Sequence, residues 1–166
     1  MLLISDSNIF IDMIVGELLE QMFQLPEEFA VPDVLYEEEL SEQHPELLQL
    51  GLLRLVLKGD GVAESVRLGA MCAGRDAPSQ NDLMALMLAK QENVPLLTGD
   101  RRLRSLAALH FDAIEIRGTL WLMERLVGET LLTPNDAATA YDKMRRAGSR
   151  LPWTTDVARQ LREWGH

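Results

Sequence analysis

Several acidic residues stand at or near the ends of short apolar segments in this chain. Asp6 follows the apolar run 1–4, and Asp100 follows the mainly apolar run 94–98. Asp82 lies three residues after a serine, which is the spacing of a capping box in the first turn of a helix. Carboxylates brought together repel one another unless protons or cations intervene, and oxygen-only ligands suit Mg²⁺ or Mn²⁺. The pattern therefore indicates metal chemistry if the fold gathers these acids.

Parallel strands alternating with helices are the elements that would position the acids. The runs 1–4, 29–31 and 94–98 are typical of buried strands, and weaker strand signals lie in the latter half of 51–57 and at 111–116. In a parallel α/β sheet, ligands bind outside the carboxyl ends of the strands. The two strand-end aspartates are therefore expected at one edge of the sheet.

Helical spacing of apolar residues fills the intervals between the predicted strands. The sequence predicts helices at 9–23, 63–73, 80–92, 101–109, 118–127 and 133–147, with a turn at 59–61 and a last helix ending at Trp164. Residues 1–166 are expected to form a single domain. Because the chain after Gly118 carries only helical signals, we interpret 118–166 as a helical C-terminal extension of that same domain.

Composition excludes several classes of protein. The 166 residues are 47% hydrophobic and 5% aromatic and carry a net charge of −10, which argues against a protein that coats nucleic acid. An enzyme that handles nucleic acid through a metal stays possible. Cys72 is the only cysteine, so no internal disulfide forms and a reducing cytoplasm is expected. No apolar run approaches the roughly 18–20 residues that span a bilayer, so no membrane association is expected.

An ordered set of short motifs resembles the PIN-domain family, and in particular the VapC-like toxin ribonucleases. The motifs are Asp6-Ser-Asn8, Pro32 with Glu38 six residues later, Ser79-x-x-Asp82, and Leu97-Thr-Gly-Asp100. The tail, with Gly118-Thr-Leu-Trp121 and Arg150-Leu-Pro152, is similar to a bacterial subgroup that has a helical C-terminal extension. The resemblance implies a three-layer α/β/α fold with a central, mainly parallel sheet, plus C-terminal helices.

The resemblance also implies roles for particular residues. It makes four acids both catalytic and metal-binding: Asp6, Glu38, Asp82 and Asp100. Glu39 stays open as the second acid, because three glutamates run together. Asn8 would orient Asp6, and Thr98 would support Asp100 as a hydroxyl behind the ligands. Asp12, in contrast, is expected at the surface or behind the ligands.

The activity implied is hydrolysis of RNA phosphodiester bonds by an endoribonuclease that uses Mg²⁺ or Mn²⁺. A toxin held by an antitoxin protein, and a homodimer, follow by the same analogy. Arg101 and Arg102 come directly after Asp100, and their charges could grip RNA phosphates, although solvent-facing helix positions are the plainer interpretation.

Two other hypotheses stay open from the sequence. One is a catalytically silent PIN-like module that binds RNA or protein. The other is a Mg²⁺-dependent, phosphatase-type α/β domain acting on a small substrate. The second would need a dedicated lysine after a later strand, and none stands out.

Overall fold

A parallel sheet lies at the centre of the computed structural model, which describes residues 1–72, 74, 77–149, 151 and 155–165. In this part of the chain the strands are β1 (Leu2–Ser5), β2 (Glu28–Pro32), β3 (Leu53–Leu55), β4 (Leu96–Leu97) and β5 (Ile116–Arg117). Their order across the sheet is β3-β2-β1-β4-β5, and every neighbouring pair is parallel. The predicted three-layer α/β/α fold with its parallel sheet is confirmed.

Helices account for most of the remaining chain. They are α1 (Ser7–Val15), α2 (Leu19–Phe23), α3 (Asp33–Leu35), α4 (Glu46–Leu50), α5 (Gly59–Met71), α6 (Gln80–Glu92), α7 (Arg101–His110), α8 (Thr119–Gly128), α9 (Pro134–Arg146) and α10 (Thr155–Gly165). The helix α3 continues directly into a π-helical turn, Tyr36–Leu40. Among the residues described, no helix is both long enough and apolar enough to cross a membrane.

The strand order creates a switch point between β1 and β4. From β1 the chain builds outward through β2 to β3 and then returns to the other side of β1 to add β4 and β5. In such sheets the crevice at the reversal, outside the carboxyl ends of the strands, is where ligands bind. Ser5 pairs in register with Leu97, so the residues that follow these two strands emerge side by side.

The helix α6 is the buried centre of the fold. Residues 83–89 are all buried, and the helix packs against β1, β2 and α5. Its ends are set by local chemistry: Ser79 accepts a hydrogen bond from the backbone N–H of Asp82 (3.1 Å), and Asn93 adopts a left-handed conformation (φ +54°) that stops the helix. The first turn of α6 is thereby held at the switch-point edge of the sheet.

Several predicted boundaries are wrong for identifiable reasons. The helix predicted over 9–23 is two helices, because α1 ends at Gly16, where a side chain would meet the terminal methyl group of Met144 in α9. The turn predicted at 59–61 is the first turn of α5. The strand predicted at 111–116 is reduced to β5, because Phe111 to Ile114 form a turn closed by a 2.9 Å backbone hydrogen bond. Arg150 and Pro152 of the tail motif lie outside the described residues.

Candidate metal centre

Asp6 is fully buried at the carboxyl end of β1. One carboxylate oxygen accepts the backbone N–H of Ile9 (3.3 Å), which caps α1, and the other accepts the hydroxyl of Thr98. Burial raises the pKa of Asp6 to about 7, with further contributions from the charges of Asp82 and Asp100, while the hydrogen bond from Thr98 opposes the rise. The carboxyl group is therefore close to half-protonated at neutral pH.

Asp82 brings a second carboxylate to the same edge from the first turn of α6. The residue is 7% exposed. Burial raises its pKa to about 6, and the nearby acids Asp100 and Glu39 add to this rise, against a hydrogen bond from Ser79 that lowers it. The charge of Asp82 in turn acts on Asp6, so the start of α6 and the end of β1 bring acidic groups close enough to interact. Like charges held close together favour the protonated form of at least one of the groups.

Asp100 follows β4 and caps the next helix, α7. Its carboxylate accepts the backbone N–H of Arg102 (2.8 Å) and forms an ion pair with the Arg102 guanidinium (3.4 Å). Burial acts to raise the pKa of Asp100, but the hydrogen bonds and charge of Arg102 outweigh it and lower the pKa below its usual value. Thr98 accepts the backbone N–H of Asp100 (3.0 Å) while it donates to Asp6, so one hydroxyl joins the two strand-end acids.

The π-helical turn decides which glutamate lies nearest these aspartates. Glu39 accepts a hydrogen bond from the Ser7 hydroxyl (3.4 Å), and its charge acts on Asp82. Both glutamates are exposed, and Glu38 accepts a hydrogen bond from the side chain of Asn81 (2.9 Å), which also interacts with Glu39. A π-helical turn contains an extra residue relative to an α-helix, so it shifts by one the position that points inward. The geometry thus favours Glu39 over Glu38, the two candidates that the sequence left open.

A cleft of about 440 Å³ opens beside the aspartates. One side is lined by α1, the first turn of α6 and residues 99–102. The segment 147–149, after α9, lines the other side. Asn8 is exposed and lines this cleft, as does Arg102. Arg101 is exposed at the first position of α7. The arrangement is an acidic crevice with one arginine at its edge.

A family model described as a PIN domain matches residues 2–165. The chain belongs to the PIN-domain family. No curated protein and no solved structure gives a significant match to it. The PIN fold is a nuclease fold, and its members commonly use divalent metal ions such as Mg²⁺.

The donor set of this PIN domain suits a hard cation in its chemistry. The three aspartates present only oxygen ligands, and burial, with a smaller contribution from their mutual repulsion, raises the pKa values of Asp6 and Asp82. Within the described residues, no group of three or more His, Cys, Asp or Glu side chains is already arranged to hold a metal ion. The Asp100 carboxylate is paired with the Arg102 guanidinium (3.4 Å).

For Asp12 of this PIN domain, the sequence left open a position at the surface or behind the ligands. The surface position is wrong, because Asp12 is 8% exposed and lies farther along the cleft, whereas a place behind the ligands stays a prediction. Its carboxylate accepts the hydroxyl of Thr119 (3.0 Å) and a hydrogen bond from Ser149. The one available signal was its place one helical turn beyond Asn8, on the same face of α1.

Proposed function

We propose that this PIN domain is a metal-dependent endoribonuclease that hydrolyses RNA phosphodiester bonds with Mg²⁺ or Mn²⁺. The observation that carries the proposal is the convergence of Asp6, Asp82 and Asp100 at the switch point of a nuclease fold. Buried carboxylates with raised pKa values are costly, and such clusters occur where a site uses them. RNA is the substrate class implied by the family resemblance.

The acidic residues would hold the metal ion in the proposed reaction. Asp6, Asp82 and Asp100, with Glu39 favoured by geometry over Glu38, would supply the oxygen ligands. A bound Mg²⁺ or Mn²⁺ would provide Lewis acidity at phosphorus and an activated water for hydrolysis.

The supporting residues act through the acids. Thr98 connects the Asp6 carboxylate to the backbone N–H of Asp100 through its two hydrogen bonds. Asn8 lies on the first turn of α1, where it can orient a group bound beside Asp6. Arg102 forms an ion pair with Asp100. Because a guanidinium binds carboxylates and phosphates in the same two-pronged geometry, Arg102 could also bind a phosphate of the RNA.

A narrower biological role extends this proposal. The VapC-like motifs suggest a toxin of a type II toxin–antitoxin pair, which works in the cytoplasm as a homodimer and is held inactive by an antitoxin protein. The phosphatase-type alternative receives no support from the family match, whereas a silent RNA- or protein-binding module stays compatible with the ion pair between Arg102 and Asp100.

Cleavage of a fluorescently labelled single-stranded RNA tests the proposal. Wild-type protein with Mn²⁺ or Mg²⁺ should cleave the RNA, and EDTA should stop the reaction. Asp82→Asn and Asp100→Asn should each reduce the rate at least about 100-fold, because removing even the partners of metal ligands commonly costs 10–100-fold. Asp112→Asn is the matched control. This exposed aspartate comes before β5, at the amino-terminal end of the strands, whereas the acids lie at the carboxyl ends.

Two outcomes would contradict the proposal in different ways. Metal-dependent cleavage that both substitutions leave unchanged would place the active site elsewhere. An absence of cleavage, combined with normal Mn²⁺ binding measured by calorimetry, would identify the chain as a silent binding module.

A further inference from the structure

The cleft beside the acids extends well beyond them. On one side it is lined by the outer face of α1, including Ile11 and Val15, and on the other by the segment 147–149 that follows α9. Ile11 is 40% exposed, so it presents an apolar surface to this cleft. The cleft therefore has an acidic end and an apolar end.

The segment 147–149 is fastened to α1 by a buried acid. The Asp12 carboxylate, 8% exposed, accepts hydrogen bonds from the hydroxyls of Thr119, at the start of α8, and Ser149, directly after α9. Gly148 turns the chain with a left-handed conformation (φ +91°) that favours glycine. One carboxylate thus connects α1 to the start of α8 and to the segment that follows α9.

We propose that this end of the cleft is a subsite for one nucleoside of single-stranded RNA, next to the scissile phosphate. In it, Asp12 is a positioning residue that holds the segment 147–149 as the second wall. The inference rests on the proposed function, because the acids define where the scissile phosphate lies. It goes beyond that function by assigning a place to the neighbouring nucleoside and a role to a residue outside the acidic cluster.

The size and lining of the cleft support a nucleoside as the occupant. The whole cleft, with its acidic end included, has a volume of about 440 Å³, within the range of roughly 300–1,000 Å³ found for small-molecule sites. Ile11 and Val15 offer an apolar surface for the face of a base, and Asn8 and Ser149 offer polar groups for its edge or ribose. Single-stranded RNA presents unstacked bases that can enter such a site, whereas paired bases cannot.

Asp12 itself does not contact the RNA in this arrangement. Its carboxylate is engaged by the hydroxyl groups of Thr119 and Ser149, and the residue is nearly inaccessible to solvent. Loss of its hydrogen bonds should consequently weaken RNA binding and raise KM, with little effect on kcat. If Asp12 had only a structural role, loss of its hydrogen bonds would lower thermal stability but would not raise KM selectively over kcat.

Paired substitutions at Thr119 test the positioning role. Thr119→Val keeps the side-chain shape but removes the hydroxyl, and Thr119→Ser keeps the hydroxyl. In an Asp82→Asn background that prevents cleavage, fluorescence anisotropy should show about tenfold weaker binding of a single-stranded RNA for Thr119→Val and unchanged binding for Thr119→Ser, which is the scale of one lost hydrogen bond. Hydrogen exchange at 147–149 should accelerate only in Thr119→Val.

Ile11→Ser provides a second test that does not perturb the buried network. Ile11 is exposed, so the variant should fold normally and still bind the RNA several-fold more weakly. Val66→Ser, at a 56% exposed position on α5, is the matched control and should leave binding unchanged.

The outcomes separate this inference from the proposed function. Unchanged RNA affinity in both Thr119→Val and Ile11→Ser would overturn the nucleoside subsite, even if the wild-type protein cleaves RNA. Weakened affinity in both variants, together with wild-type protein that never cleaves RNA, would support the subsite and overturn the proposed hydrolysis.

Discussion

Replacing Asp6 with asparagine tests whether the buried acids destabilise the protein when no metal is bound. Asp6 is fully buried, and burial raises its pKa from 3.8 to about 7. Because one pKa unit corresponds to about 1.36 kcal/mol, ionising this group at pH 8 costs the folded state roughly 4 kcal/mol. Asparagine keeps the size of the side chain, and its carbonyl oxygen can still accept from Ile9 or Thr98. We therefore expect Asp6→Asn to stabilise the metal-free protein at pH 8 by up to about 4 kcal/mol.

The pH dependence of this effect has a defined sign. Since the folded-state pKa of Asp6 lies above the unfolded value, the folded state binds more protons between pH 4 and 7, as the values of 3.8 and about 7 require. The wild-type free energy of unfolding should fall as pH rises through this range. Asparagine does not titrate, so the stability advantage of the variant should widen by about 3 kcal/mol between pH 4.5 and pH 8.

Urea unfolding in EDTA at these two pH values measures the effect, with Asp112→Asn as the control. Thermal melts with Mn²⁺ at pH 8 complete the test: metal should raise the Tm of the wild type and leave that of Asp6→Asn nearly unchanged, because binding to the folded state alone stabilises it. An advantage for Asp6→Asn of the same size at both pH values would refute the argument, since the ionisation of Asp6 would then not be linked to folding.

Three further predictions address neighbouring parts of the site. In parallel kinetic assays of RNA cleavage, Glu39→Gln should lower kcat at least tenfold more than Glu38→Gln. The expected factor is roughly the cost of losing one group that supports a metal site. Arg102→Gln removes the charge that lowers the pKa of the adjacent aspartate, so the acid limb of the pH–rate profile should move to higher pH. Gly148→Ala should destabilise the protein by about 1 kcal/mol in urea, because its φ of +91° strains any other residue, whereas Gly128→Ala, with nothing within 4 Å of an added methyl group, should not.

The sheet and the central helix were predictable because their signals are local. The apolar run 1–4 and the segment 29–31 became β1 and β2 within one or two residues. Ser79 and Asn93 marked both ends of α6 through their own backbone geometry. The end of α1 at Gly16 also involves a distant contact, because a side chain there would meet Met144 of α9.

The aspartates of the site were predictable for a topological reason. Asp6 and Asp100 each follow a strand, and parallel strands at a switch point deliver such residues to one crevice whatever the details of packing. The choice between Glu38 and Glu39 was not available from spacing, because counting along an α-helix assumes 3.6 residues per turn. The π-helical turn Tyr36–Leu40 changes that count, and the three adjacent glutamates conceal the change.

Asp12 shows where sequence reasoning ends at this site. Its hydrogen-bond partner Thr119 is 107 residues away, and the contact depends on how the C-terminal helices pack against α1. No local pattern distinguishes a buried carboxylate with two hydroxyl donors from a solvated one on the same helix. The burial of Asp12 is therefore a property of the tertiary fold.

The three aspartates have the same side chain but different proton affinities, and position alone explains the difference. Burial raises the pKa of Asp6 to about 7 and that of Asp82 to about 6, whereas Arg102 lowers the pKa of Asp100. The cluster consequently changes charge across the neutral pH range. Protons and a divalent cation compete for the same oxygens in such a cluster, so stability, metal affinity and catalysis should all depend on pH in this range. The pH–stability experiment therefore reports on the ionisation of Asp6, and the pH–rate profile of the Arg102 variant reports on Asp100. Both residues belong to the same electrostatic network.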